Sequence, residues 1–342
     1  MTMRVMQIEE DWSPDNIRIA ERPRPEPGRG EVLLRMEAAS VNYRDVVVAR
    51  RGYGRRSGQL PLVPLSDGAG RVAEVGPEVT RVAVGDLVCP IFNQRWIAGP
   101  LREEYWPGTL GGPSDGVMQE FMVLREEGLV RAPRHLTPVQ AATLPCAGVT
   151  AWNAVVTQGD VKAGDVILVQ GTGGVSLFAL LFAKLHGARV IATSSSDAKL
   201  ERVRSMGADQ VINYRTTPGW DKVAREVTGG AGVDLVVEVG GAGTLETSVR
   251  AVRVSGTVSL IGVLSGVAAS LSLGPVVTQN IRLQGVTVGS RELFEDMVRA
   301  MELHHVVPPT DDHVYAFAEV GQAIKGLPEG RHFGKVCIRF SA

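Results

Sequence analysis

The residues with the clearest chemical potential are Gly171, Thr172, Gly173, Gly174, Val175 and Ser176, a GTGGVS run that directly follows the apolar stretch VILVQ (166–170) and opens the helical stretch LFALLFAKLHGA (177–188). A first glycine permits a tight strand-to-helix turn. Gly173 lets the backbone approach a pyrophosphate, and the helix start offers that anion unpaired N–H groups and the positive end of a dipole. Ser176 stands where the usual fingerprint has its third glycine. That position serves close packing of helix on strand, which a small serine tolerates. The run reads as a dinucleotide site; the plain alternative is a tight turn and nothing more.

The next strand, RVIATS (189–194), bears on which dinucleotide. An NAD site normally ends this strand on an acidic residue that binds both ribose hydroxyls, whereas here it ends on Ser194. Without that carboxylate a 2′-phosphate meets no repulsion, and Ser194, Ser195 and Lys199 offer it hydrogen bonds and charge. NADP(H) is favoured over NAD(H). Asp197 or a rotated Glu201 could still serve NAD, and Lys199 could simply lie on a solvated helix face. Further on, Gly240 after VDLVVEV and the trio Ile261, Gly262 and Val263 after TVSL fall at strand C-terminal ends, where open α/β sheets bind ligands.

The surrounding elements fit such a site. From residue 138 apolar strand-like runs alternate with helical stretches, which predicts right-handed βαβ units and a doubly wound parallel sheet over 138–277. The stretch leading in, TPVQAATLPCAGVTAWNAVV, reads as a helix interrupted near Pro145 and Gly148. The first 137 residues are β-rich, with turns bearing proline and glycine, and suggest a barrel-like region. After residue 278 come RLQGVTVGS, an amphipathic helix RELFEDMVRAMELH and a closing strand KVCIRF, expected to return the chain to the first domain.

Bulk properties exclude much else. With 36 basic and 37 acidic residues among 342, the net charge of −1 offers no broad field to nucleic acid or an anionic membrane. No apolar stretch is long enough for a membrane span, and the start lacks a signal-peptide core, so a cytoplasmic location is expected. Cys89, Cys146 and Cys337 lie far apart and in no metal-type spacing, and the histidines form no metal pattern.

Several motifs in order, VNYRD (41–45), PLSDGAGRVAEVG (64–76), GDLV (85–88), LPCAGVTAW (144–152) and GTGGVS, resemble the medium-chain dehydrogenase/reductase superfamily. Within it they resemble the zinc-free quinone oxidoreductase branch, some of whose members are named zinc-type alcohol dehydrogenase-like. The resemblance covers essentially the whole chain. It implies a GroES-like catalytic domain split between 1–137 and 278–342, around an inserted Rossmann domain, and a homodimer paired through the last strand of the latter domain. In zinc-bearing relatives a catalytic Cys stands at the place of Asn42 and a GHE motif at Leu65, Ser66 and Asp67. Cys146 falls at a third ligand position, but one thiolate cannot build a three-ligand zinc site. No metal is therefore expected, and Cys146 reads as a small hydrophobe. The four-cysteine lobe is replaced by an aromatic segment, FNQRWIAGPLREEYWPG (92–108), either a loop over the substrate or a packed surface loop.

By the same resemblance Asn42 and Tyr43 lie near the nicotinamide, with Tyr43 a possible proton donor and Asp45 completing the pattern, although an aspartate there commonly just caps backbone groups. Thr150 is placed beside the nicotinamide. Lys199 and Tyr214 match the pair that meets the 2′-phosphate. Phe333 and Lys335 belong to a tail that returns to the cofactor. Without a metal, charge developing on the substrate must be met by hydrogen bonds or a proton. A quinone or α,β-unsaturated carbonyl, whose anion is delocalised, suits this best. Alcohol or aldehyde oxidation and non-catalytic NADPH binding remain alternatives.

Overall fold

A computed structural model describes residues 1–340 of the chain. It divides into two compact units: Met1–Val149 joined by the chain from Gly289 onward, and Thr150–Val288.

The second unit holds a six-stranded sheet whose pairings are all parallel. In spatial order its strands are Gln210–Asn213, Arg189–Ser194, Val166–Gln170, Val233–Glu238, Val252–Leu260 and Arg282–Gly285. In chain order this is 3-2-1-4-5-6, the doubly wound Rossmann order. Every residue of Val166–Gln170 is buried, as a central strand covered on both faces requires. Leu168, Val236 and Val258 pack with Trp220 and Ile281 in the core. The order reverses between Val166–Gln170 and Val233–Glu238, so the crevice for a ligand opens beyond Gln170 and Glu238.

The first unit is built on the ten-residue strand Glu31–Ser40, which is flanked on both edges. One edge pairs with Asp67–Val75. The other is shared: Phe121–Arg125 lies opposite Glu31–Arg35, and the C-terminal strand Lys335–Arg339 lies opposite Ala38–Ser40. Leu87–Pro90, Leu129–Arg131 and Thr310–Ala316 complete a sheet of seven strands, and Thr2–Ile8 pairs with Ile17–Pro23 in a separate ribbon. Ser40 therefore has Asp67 as its partner on one side and Cys337 on the other. That register gathers the ends of three strands at one point.

The division between units falls later in the chain than the expected 137/138 and 277/278. Residues 138–149 pack on the first unit's sheet: Ser40 Oγ donates to Ala142 O at 2.9 Å, and Cys146 N to Asp67 Oδ2 at 3.3 Å. Residues 282–285 remain with the parallel sheet through pairing with Val252–Leu260. The helical stretch is broken as its sequence suggests, with a wide turn at Leu144–Gly148 carrying Pro145. The aromatic segment 92–108 is a packed loop in its central part. Trp96 is buried, its Nε1 donates to Gly99 O, and the carbonyls of Trp96 and Ile97 receive N–H groups from the start of the helix Arg291–Leu303.

Candidate functional site

In the parallel unit the glycine loop has the form a bound pyrophosphate requires. Gly171 adopts φ +75°, which favours glycine, and its N–H is taken by Thr193 O at 2.8 Å. Gly173 is the N-cap of the helix Gly174–Leu185, and a Cβ built on Gly171 or Gly173 would meet no atom within 4 Å. The space above the loop is open, and the first N–H groups of the helix have no acceptor within it. Thr172 is buried within the loop, while Gly174 and Val175 are partly exposed in the first helical turn. Ser176 does more than fill a packing position, since its hydroxyl donates to Gln170 O and pins the helix to the strand.

Beside the loop, Ser194 is buried and Ser195 partly exposed at the end of Arg189–Ser194. Tyr214, the first residue after Gln210–Asn213, is exposed and donates its N–H to Ser194 O at 3.0 Å. Lys199, in the helix Asp197–Ser205, is partly exposed close to the same strand end. These residues lie at neighbouring ends of the two strands and the start of the helix between them.

A buried carboxylate that the sequence reading passed over shapes the crevice. Glu238 Oε1 accepts from Gly240 N (2.7 Å), Gly241 N (2.9 Å) and Thr244 Oγ1 (2.6 Å). Glu238 Oε2 accepts from Gln170 Nε2 (2.7 Å) and from Ser248 Oγ. Gly240 is consequently occupied on both backbone groups, because its carbonyl receives Ser265 N and Oγ. It offers a ligand only its bare Cα, and a Cβ there would fall 2.3 Å from Thr244 Oγ1. Ile261 N likewise donates to Glu238 O, and Val263 is exposed beyond it. Thr150 is buried at the start of this unit.

In the first unit Asn42 is the N-cap of the helix Tyr43–Ala49. Asp45 is buried, with Oδ2 accepting Asn42 N at 2.7 Å and Oδ1 lying 3.4 Å from Arg44 Nη1. Burial lifts its carboxyl to about 6; Arg44 and the Asn42 N–H pull the other way, and Asp67 adds to the rise. Asp45 thus supports the turn from within. Tyr43 sends its ring outward and is 40% exposed.

Lys335 lies at the place where the three strand ends converge. Its ammonium donates to Val41 O at 2.9 Å and to Asn42 Oδ1, and lies 3.5 Å from Asp67 Oδ2. These three partners match the three hydrogens of an ammonium. The expected cofactor contact of Lys335 is not what this placement offers, because the side chain is spent inside its own unit. Phe333 is likewise buried, with its N–H on Asp311 Oδ2. Burial pushes the Asp67 carboxyl up, and Lys335, Asn42, the Ser66 hydroxyl and the Cys146 N–H act against that.

Two family models match the chain: the alcohol dehydrogenase GroES-like domain over residues 28–134 and the zinc-binding dehydrogenase over residues 174–303. A zinc-type alcohol dehydrogenase-like protein of Schizosaccharomyces pombe is 40% identical over 316 residues, covering 91% of each chain. The chain belongs to the medium-chain dehydrogenase/reductase family. A solved structure assigned as an alcohol dehydrogenase, from Sinorhizobium meliloti 1021, superposes with a TM-score of 0.93 at 41% identity over 99% of each chain. A 2-octenoyl-CoA carboxylase reductase, solved in complex with NADP and 2-octenoyl-CoA, superposes with a TM-score of 0.86 at 26% identity, over 99% of this chain and 88% of its own.

In this medium-chain dehydrogenase/reductase Asn42 and Ser66 stand at two places where zinc-bearing relatives carry ligands. Asn42 Oδ1 and Asp67 Oδ2 converge on the Lys335 ammonium, and the Cys146 N–H donates to the same Asp67 oxygen. Burial pushes the Cys146 thiol up. Among the described residues no group of three or more His, Cys, Asp or Glu is placed to hold a metal ion. No helix among them is long and apolar enough to cross a membrane.

Proposed function

We propose that this oxidoreductase transfers hydride from NADPH to a quinone or an α,β-unsaturated carbonyl without zinc. The observation that carries this is the Lys335 ammonium seated among Val41, Asn42 and Asp67, where a metal would otherwise need its ligands. A simple ketone gives a localised alkoxide on reduction and calls for a strong electrophile. Quinones and enones give phenolates or enolates, which hydrogen bonds alone can support. Bound NADPH supplies the hydride. Tyr43, whose ring is exposed, meets the substrate oxygen and can give it a proton, while Asn42 is held in place by Lys335 and Asp45 holds the turn. The glycine loop 171–175 takes the pyrophosphate; Ser194, Ser195, Lys199 and Tyr214 take the 2′-phosphate. Thr150, Gly240, Ile261 and Val263 border the nicotinamide end. The relative that binds NADP with an α,β-unsaturated thioester supports both halves of this reading.

The protein is read as a cytoplasmic homodimer, in keeping with an outer strand, Arg282–Gly285, that is paired on one edge only. Reversible alcohol oxidation is the second reading, favoured by the names of the similar proteins. The deciding experiment follows NADPH and NADH oxidation by absorbance against quinones, enones and simple aldehydes, with chelator-treated protein. NADPH consumption with quinones or enones is expected. Activity confined to alcohols and aldehydes and abolished by the chelator would overturn the proposal, and tight NADPH binding with no turnover would favour a binding protein.

A further inference from the structure

The parallel register sets Asn213 opposite Ser194, and the Tyr214 N–H closes onto Ser194 O. The two strand ends that bear on the adenosine ribose in a sheet of this order therefore lie side by side. Across residues 194–199 and 213–218, Asp197 is the only carboxylate. It is exposed, opens the helix Asp197–Ser205 and stands three residues beyond Ser194. A carboxylate at this end of the strand is the group that accepts from ribose hydroxyls and repels a 2′-phosphate. This one is engaged. Asn213 Nδ2 donates to Asp197 Oδ1 at 2.8 Å, while Asn213 Oδ1 accepts the Arg215 N–H at 3.0 Å and so fixes the turn that carries Tyr214.

We infer that Asn213 is a positioning residue for coenzyme choice: its amide ties the Asp197 carboxylate to the neighbouring strand end and keeps it from a phosphomonoester at the adenosine ribose. The inference rests on the NADP reading above. The sequence alone leaves Asp197 free to serve NAD; the tether is what removes it. Arg215, exposed on the same turn, adds positive charge on that side.

The test measures dissociation constants of NADPH and NADH by titration calorimetry, which needs no knowledge of the substrate, for the wild-type chain, N213A, D197N and the double variant. Wild type is expected to prefer NADPH. N213A should lower the NADPH-to-NADH preference about fivefold, the weight of one net hydrogen bond. The double variant should return to the preference of D197N, because the carboxylate that Asn213 restrains is gone. A preference unchanged by N213A, or a loss that persists in the double variant, would overturn the inference while leaving the NADP reading intact. A wild-type chain that prefers NADH would overturn that reading and the inference with it.

Discussion

Lys335 and Asp67 face each other across the end of the strand Glu31–Ser40, Nζ 3.5 Å from Oδ2, with side chains 3% and 0% exposed. Two charges taken out of water cost several kcal/mol each and are tolerated only with good partners. Here the Ser66 hydroxyl and the Cys146 N–H complete the shell of the carboxylate.

Removing one charge should therefore be worse than removing both. Lys335→Met is expected to cost about 3–5 kcal/mol by leaving a buried carboxylate without its counter-ion, and Lys335→Met with Asp67→Asn should recover part of that. Urea unfolding measures both; a single variant as stable as wild type would show that the pair does not anchor this end of the sheet.

Asp45 gives stability a pH dependence of defined sign. Its carboxyl is raised from 3.8 to about 6, chiefly by burial, so the folded chain binds this proton more tightly than the unfolded chain. The resulting stabilisation is complete below about pH 4 and is lost as pH rises through about 6. Asp45→Asn keeps an acceptor for the Asn42 N–H and cannot titrate. Relative to it, wild type should lose up to about 3 kcal/mol between about pH 4 and pH 7. Urea midpoints for both proteins across that window check this, and a constant difference would sink it.

Gly173→Ala separates cofactor binding from folding. The position has φ −82° and open space where a Cβ would go, so alanine should cost under about 1 kcal/mol of stability. The added methyl would stand where the pyrophosphate approaches, and NADPH affinity should fall about tenfold or more. Calorimetry gives the affinity and thermal melting the stability. Unchanged affinity would move the cofactor off this loop.

Glu238→Gln tests the scaffold of the crevice. The carboxylate accepts five hydrogen bonds, and a glutamine would turn an NH₂ group toward donors. A loss of about 1–3 kcal/mol is expected, with faster hydrogen exchange at the amides of Gly240 and Gly241. Wild-type protection at those two amides would show that Glu238 does not hold the turn.

Much of the parallel unit was legible because its signals are local. A strand, a glycine loop and a helix follow one another within about twenty residues, and alternation of apolar strands with helices leaves few topologies for a right-handed sheet. Ser194 in place of an acid, and the motifs shared with the medium-chain family, are equally matters of adjacent residues. The divisions between units were less legible, because residues 138–149 could have packed on either unit, and pairing with Asp67 and Ser40 decided it.

By itself, then, the sequence determined the doubly wound sheet, the glycine loop between its first strand and helix, and the residue types Asn42 and Ser66 at the places where zinc-bearing relatives carry ligands, since each depends on residue type and short spacing. Only the tertiary structure decided that Lys335, 293 residues from Asn42, is the cation of that cluster rather than a cofactor contact. It also decided that Gln170 and Glu238, 68 residues apart, meet at the sheet's reversal point, and that Asn213 restrains Asp197. Such pairings follow from strand register, which is set by which distant strands lie side by side and leaves no periodic trace along the chain.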